Sequence, residues 1–399
     1  MNLQRIQTPY RFAPPKYSPW FRPILHFISA TLLRCQHKVC EVNIEGAQKL
    51  KEYVQKGHAV LVTPNHSDHA DPGLMIEVGR RFGIAFHFMA AREGFEAGAL
   101  NRFVLQRGGA FSINREGGDV MAIKTAIKIL EERKHPLVIF PEGEIYHHME
   151  VLDELNDGVA SIALRAMSKL PDGKSGYVVP TAIRLRNDPD AEKEIPDRLS
   201  ALEERITWSP RENKDPVERI LDLGSALLSI KEEEHLGAAQ KGTLGDRLRC
   251  LREKLVAEVE EAHKTVSPDA SLPKRIKTIR ALIRKELTDE ASPPTEDREA
   301  ELYRELDKVY LAHQLYSYPG VYLTANPTLD RIAETIFKLE EDLLGKARHL
   351  GRRKATIVFG EPIAVGAFLD ENGYNSKSGV APLTGLIRER IQQMLMPQR

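Results

Sequence analysis

From residue 39 to 186 the chain alternates short apolar runs of strand length with segments of helical period, and this alternation narrows the fold more than any other feature. VCEVNIEG at 39–46, AVLVTPNH at 59–66, PLVIFPEG at 136–143 and GYVVPTAIRLR at 176–186 have the apolar, β-branched content of buried strands. Between them, DPGLMIEVGRRFG at 71–83 and DVMAIKTAIKILEER at 119–133 read as helices, the second with Val120, Ile123, Ile127 and Leu130 on one face. Strand and helix in alternation predict an α/β layered fold. After Arg186 the composition turns charge-rich and helical until about residue 350, as in REKLVAEVEEAHK at 252–264 and LDRIAETIFKLEEDLLGKARHL at 329–350. The apolar spacing of these helices suits burial of one stripe against a neighbour. KATIVFGEPIAV at 354–365 then returns to strand character, and APLTGLIRERIQQML at 381–395 ends the pattern with a helix. The expected organisation is an N-terminal segment 1–38, an α/β core 39–186, a long charged helical insert 187–353 before the last strand, and a closing strand and helix 354–399. No internal repeat or long low-complexity tract is apparent.

Charge and cysteine content exclude several functions. Lys plus Arg and Asp plus Glu both number 57, so no broad positive field invites nucleic acid. Three cysteines, Cys35, Cys40 and Cys250, have neither metal-site spacing nor the density of a disulfide framework, which fits a reducing, cytoplasmic compartment. No run reaches the roughly 18 to 20 apolar residues of a spanning helix. The nearest is PWFRPILHFISATLLR at 19–34, where Trp20, Phe21, Ile24, Leu25 and Phe27 are mixed with Arg22, His26 and Arg34. This interfacial composition suits a segment lying on a membrane face and equally a helix packed on its own domain.

The segment Asn65 to Asp71, NHSDHAD, follows a strand and precedes an apolar helix, a place where sites commonly form. His66 and Asp71 are separated by four residues. A loop turning into a helix can bring that carboxylate against one imidazole nitrogen, leaving the other to take a proton from a hydroxyl. Spacing alone is weak, because a chain with 13 histidines repeats it by chance, as it does at His148 and Asp153. The strand-to-helix setting favours His66.

Here the residues resemble the N-H-x4-D block of the glycerolipid acyltransferase superfamily, which includes lysophosphatidic acid acyltransferases and tafazzin-like transacylases. Three further segments are similar to the family's later blocks and stand in its order: GGAFSINR at Gly108–Arg115, FPEG at Phe140–Gly143 and VVPTAIR at Val178–Arg184. Glu45–Gly46 and Gly360–Ile363 resemble its opening and closing signatures. The resemblance implies an α/β, glycerolipid-acyltransferase-like layered fold and transfer of an acyl group from a thioester to a lipid hydroxyl. His66 and Asp71 would be the base and its orienter, and Asn65, Arg92, Arg115, Glu142 and Gly143 would serve substrate binding. It implies acyl-CoA or acyl carrier protein as co-substrate, no metal or organic cofactor, a lysophospholipid acceptor led by lysophosphatidic acid, and peripheral attachment to a membrane surface. Arg115 would contact acceptor phosphate, a task suited to a bidentate guanidinium. One departure stands out: many members continue FPEG with Thr-Arg-Ser, whereas this chain has Glu144, Ile145 and Tyr146. Without that second basic contact, Arg92, Arg115 and Arg184 are the cations at hand.

Two readings of other classes compete. His66, Asp68, His69, Asp71, His147 and His148 offer ligands for a metallohydrolase, although not in the HExxH order. A lipid-binding protein on the same fold would need no catalysis, since fold does not fix function. No G-x-S-x-G elbow or papain-like cysteine block is present, so base catalysis without an acyl-enzyme is the expected chemistry.

Overall fold

A strand whose consecutive side chains are all apolar needs cover on both faces, and the sheet here has it. The computed structural model describes residues 10–396 apart from 169, 172 and 268. Residues 1–9 of the expected N-terminal segment and 397–399 of the closing segment lie outside those described. The strands are β1 (Val39–Glu45), β2 (Ala59–Pro64), β3 (His87–Ala91), β4 (Ala110–Ile113), β5 (Leu137–Val138), β6 (Gly176–Asn187), β7 (Arg353–Phe359) and β8 (Ile363–Ala364). They form one sheet ordered β1-β7-β6-β2-β5-β3-β4, with β8 beside β6. From β6 to β4 every neighbour is parallel, while β7 runs antiparallel to β6 and parallel to β1.

Alternation along β2 shows the layering. Ala59 and Leu61 enter one core with the helices Val120–Glu132, Gly158–Met167 and Val380–Leu395, whereas Val60 and Val62 enter the other with Ala47–Gln55 and Asp71–Phe82. The fold is α/β, helices on both faces of a mostly parallel sheet. β3 and β4 lie within segments where no strand was expected. The run 354–365 divides into β7 and β8: Gly360 N–H still donates to the Pro180 carbonyl in the register of β7, but Pro362 has no N–H to give, and Ile363 resumes opposite Val178 one residue out of step. Gly46 ends β1 at φ +76°, and a Cβ there would stand 2.4 Å from the Phe359 carbonyl oxygen, so the two ends of the domain meet at a position only glycine fills.

The chain divides into two compact units, one comprising Arg11–Asp188 and Arg352–Arg399, the other built on Pro189–Gly351. The second is helical, with one apolar cluster around Leu199, Leu223 and Ile336 and another around Leu251, Ile279, Leu302 and Val309. Its helices share a device that sequence inspection missed. Near the start of Pro216–Leu236, Leu244–Ala262, Leu272–Leu287 and Glu296–Tyr316 stand Arg219, Arg247, Arg275 and Arg298, respectively. Each grips a carboxylate of the preceding helix through Nε and Nη2: Glu203, Glu232, Glu260 and Glu286, at 2.7 to 3.1 Å. Arg198, at the same place in Ile195–Ile206, grips Glu340 with the same two nitrogens. No helix among the described residues is long and apolar enough to cross a membrane.

Removing one partner of a buried bidentate pair leaves an uncompensated charge. Arg247→Ala is therefore expected to destabilise the helical unit by about 3 kcal/mol, against less than about 0.5 kcal/mol for Arg249→Ala at an exposed pair. Circular dichroism through a urea titration compares the two.

Candidate active site

Strands β2, β5, β3 and β4 are consecutive and parallel, so their carboxyl ends deliver four loops to one edge of the sheet, where α/β folds commonly bind ligands. These loops carry His66, Glu142, Arg92 and Arg115.

The β2 loop closes on one oxygen. Asp71, fully buried at the first position of Asp71–Phe82, accepts through Oδ2 from the Ser67 N–H at 3.0 Å and the Asp68 N–H at 2.9 Å. His66 Nδ1 lies 3.0 Å from the same oxygen. The carboxylate thus assigns the ring proton to Nδ1, and Nε2, with no hydrogen-bond partner among the described residues, is the nitrogen able to take a proton. Phe140 packs against the ring, centroids 4.1 Å apart. Burial raises the Asp71 carboxyl above its usual range, with the hydrogen bonds from His66 and the Asp68 backbone opposing it. Pro72 suits the first turn, and the helix terminus favours a carboxylate at that position.

Asn65, expected at the substrate, is buried with both amide groups directed to β6: Nδ2 donates to the Ile183 carbonyl at 3.1 Å and Oδ1 accepts the Ile183 N–H at 2.7 Å. It holds the start of the His66 loop. Glu142 is likewise buried and turned toward that loop. Its Oε1 accepts the His66 N–H at 2.6 Å, and its Oε2 accepts the Asp153 N–H at 3.2 Å. Burial pushes its carboxyl up to about 8, more than the two N–H contacts draw it down, with the charges of Asp153 and Asp71 adding to the rise. Gly143 takes φ +74°, and a Cβ there would meet Asn156 Nδ2 at 2.8 Å. Asn156 Nδ2 donates to the carbonyls of Pro141 and Glu142, clamping FPEG. No motif in the sequence distinguished Asn156.

Arg115 Nη1 donates to the Gly143 carbonyl and to Glu144, both at 2.6 Å, and Nη2 lies 3.4 Å from Glu93. Burial draws the guanidinium down, but Glu144 and Glu93 outweigh it and hold it above its usual value. Arg92, buried at the start of Arg92–Glu96, pairs with Glu96 at 2.8 Å. Arg184 stands in β6 opposite Thr356. Outside the expected set, Arg353 of β7 sends Nη1 to Asp68 at 2.6 Å in a buried ion pair and Nε to the His37 carbonyl. Asp68, offered above as a metal ligand, thus carries a guanidinium. The second His-x4-Asp pair, His148 and Asp153, is 3.6 Å apart, too long for a hydrogen bond.

Residues 42–184 match the family model described as Acyltransferase. The chain carries an acyltransferase domain. No curated protein matches the chain. The matched residues of the acyltransferase domain span the His66, Arg115 and Glu142 loops, while Arg353 lies beyond them in the strand that completes the sheet.

In the acyltransferase domain, the folded Glu142 carboxyl binds its proton more tightly than a free glutamate does. Its contribution to stability is therefore complete below the unfolded value near 4.5 and declines as pH rises through about 8. Wild-type unfolding midpoints are expected to fall between pH 5 and 8.5, and Glu142→Gln to flatten that fall. Thermal unfolding across the range, both proteins in parallel, measures the difference.

Proposed function

We propose that the protein transfers a fatty acyl group from acyl-CoA or acyl carrier protein to a free hydroxyl of a lysophospholipid or glycerol phosphate lipid. The observation carrying this reading is the His66 Nδ1 to Asp71 Oδ2 contact of 3.0 Å on a loop braced by Glu142. As the hydroxyl oxygen bonds to the thioester carbon, its proton passes to His66 Nε2. Asp71 stabilises the resulting imidazolium. When the carbon–sulfur bond breaks, the thiolate takes that proton, leaving an ester, a free thiol and neutral His66. The residues named supply this proton transfer without a metal or organic cofactor.

Labelled acyl-CoA and acyl carrier protein, each offered with a panel of lysolipids, test the reading. His66→Ala is expected to lower turnover by about 10²- to 10⁴-fold, the range for a general base, while the circular dichroism spectrum stays unchanged. Product undiminished in that variant would sink the assignment; acyl exchange from intact phospholipid alone would establish transacylation instead.

We also infer that the domain works at a membrane face. Trp20, Ile24 and Phe27 follow one another on a single side of Pro19–Phe21 and Arg22–Cys35, with Trp20 61% and Phe27 73% exposed. Through the edge contact of Phe21 with Phe103, at 5.7 Å, this stripe continues to exposed Leu100 on Ala99–Arg107. Arg107 lies over the Phe103 ring at 5.5 Å, and Arg34 and Arg102 are exposed on the same two helices, a mixture of positive charge and apolar rings that suits an interfacial surface. Replacing Trp20 and Phe27 together by Ser is expected to weaken sedimentation with anionic vesicles by about tenfold or more, given ~1.5–3 kcal/mol per buried large side chain. Equal binding by both proteins would remove this surface from consideration.

A further inference from the structure

The position following FPEG brings a negative charge to the place where the acceptor is expected. Glu144 stands where the resemblance leads to threonine, and its carboxylate takes Arg115 Nη1 at 2.6 Å. The Gly143 carbonyl shares that nitrogen, and Glu93 approaches Nη2. Arg92, the other nearby cation, is paired with Glu96. Glu116 adds a buried carboxylate in the Arg115 loop. Two guanidinium groups are thus set among four carboxylates, and this part of the sheet edge is negative on balance. A phosphate monoester reaching Arg115 would lie beside the Glu144 and Glu93 carboxylates, dianion against anion. An ammonium group meets the opposite situation, since Glu144 and Glu93 can pair with it while retaining Arg115.

We propose that Glu144 is a specificity-determining residue that turns away phosphate-monoester acceptors and directs acyl transfer to lysophospholipids whose phosphodiester head group ends in an ammonium. The inference rests on the acyl-transfer reading and narrows its acceptor away from lysophosphatidic acid. Side-chain exposures of 26% for Arg115 and 28% for Glu144 leave both within reach of a ligand.

The test compares kcat/KM for lysophosphatidylethanolamine and lysophosphatidic acid of one chain length, using the full chain, acyl-CoA, and the variants Glu144→Thr and Glu144→Gln. Wild type is expected to favour the ammonium-bearing acceptor by about tenfold or more, and both variants to move the ratio toward lysophosphatidic acid by about tenfold, as charge complementarity governs partner choice. The ratio is taken within each protein, so a partial loss of folded enzyme cancels. A wild type preferring lysophosphatidic acid, or a ratio moving less than about twofold in both variants, would overturn the proposal while leaving acyl transfer intact. Failure to acylate any lysolipid from any thioester would overturn the acyl-transfer reading and this inference with it.

Discussion

Asp71 Oδ2 is the point on which the candidate site depends. A single carboxylate oxygen draws in two backbone N–H groups and one imidazole nitrogen, so the turn connecting β2 to the next helix closes around it. Such a turn has no regular ladder to satisfy its amides, and the side chain performs that service. The same bonds that order the backbone also fix the ring of His66. Folding of the loop and preparation of the base are therefore one event, and the burial that raises the Asp71 carboxyl is the cost of keeping the oxygen away from water.

Support for this loop comes from parts of the chain far apart in sequence. β6 holds Asn65 through Ile183, the FPEG turn holds the His66 amide through Glu142, and β7 holds Asp68 through Arg353. Each contact needs the sheet to be assembled first, because β6, β5 and β7 reach β2 only as its neighbours or next neighbours. The helical unit lies in sequence between β6 and β7, yet Arg353 is the first residue of the returning strand and enters the loop's ion pair immediately. The antiparallel pairing of β6 with β7 makes that return local in space, with Asn187 opposite Arg353.

The sequence was most informative where local pattern and chemistry coincide. Alternation of apolar runs with helical period exposed the layered α/β class, and NHSDHAD stood out because a strand precedes it and an apolar helix follows. β3 and β4 were harder to see: HFMAA mixes His87 into a short run, and Ala110–Ile113 has only four residues, too few for a period to declare itself. Side-chain partners set by tertiary structure were not legible. Glu142 reads as a residue facing substrate until its two backbone donors are known, and nothing in the order of residues brings Glu93 to Arg115 or Arg353 to Asp68. The significance of Glu144 emerged only from that geometry, although its departure from the family pattern was visible beforehand.

The helical unit carries the converse lesson. Its recurrent Arg-to-Glu grips leave a trace in the sequence, an arginine followed by Ile or Leu near the helix start at Arg198, Arg219, Arg247 and Arg275. Arginine among charged residues is unremarkable by composition, so the trace acquires meaning only when each fork is found on a carboxylate of a neighbouring helix. Planar two-point contact restricts direction as well as distance. An apolar stripe can slide along its partner by a turn with little change in buried area, whereas a guanidinium moved by a turn loses both bonds and, at the buried pairs Arg219–Glu203 and Arg247–Glu232, strands two desolvated charges. The apolar clusters supply cohesion within this unit, and the arginine grips select the register in which its helices pack.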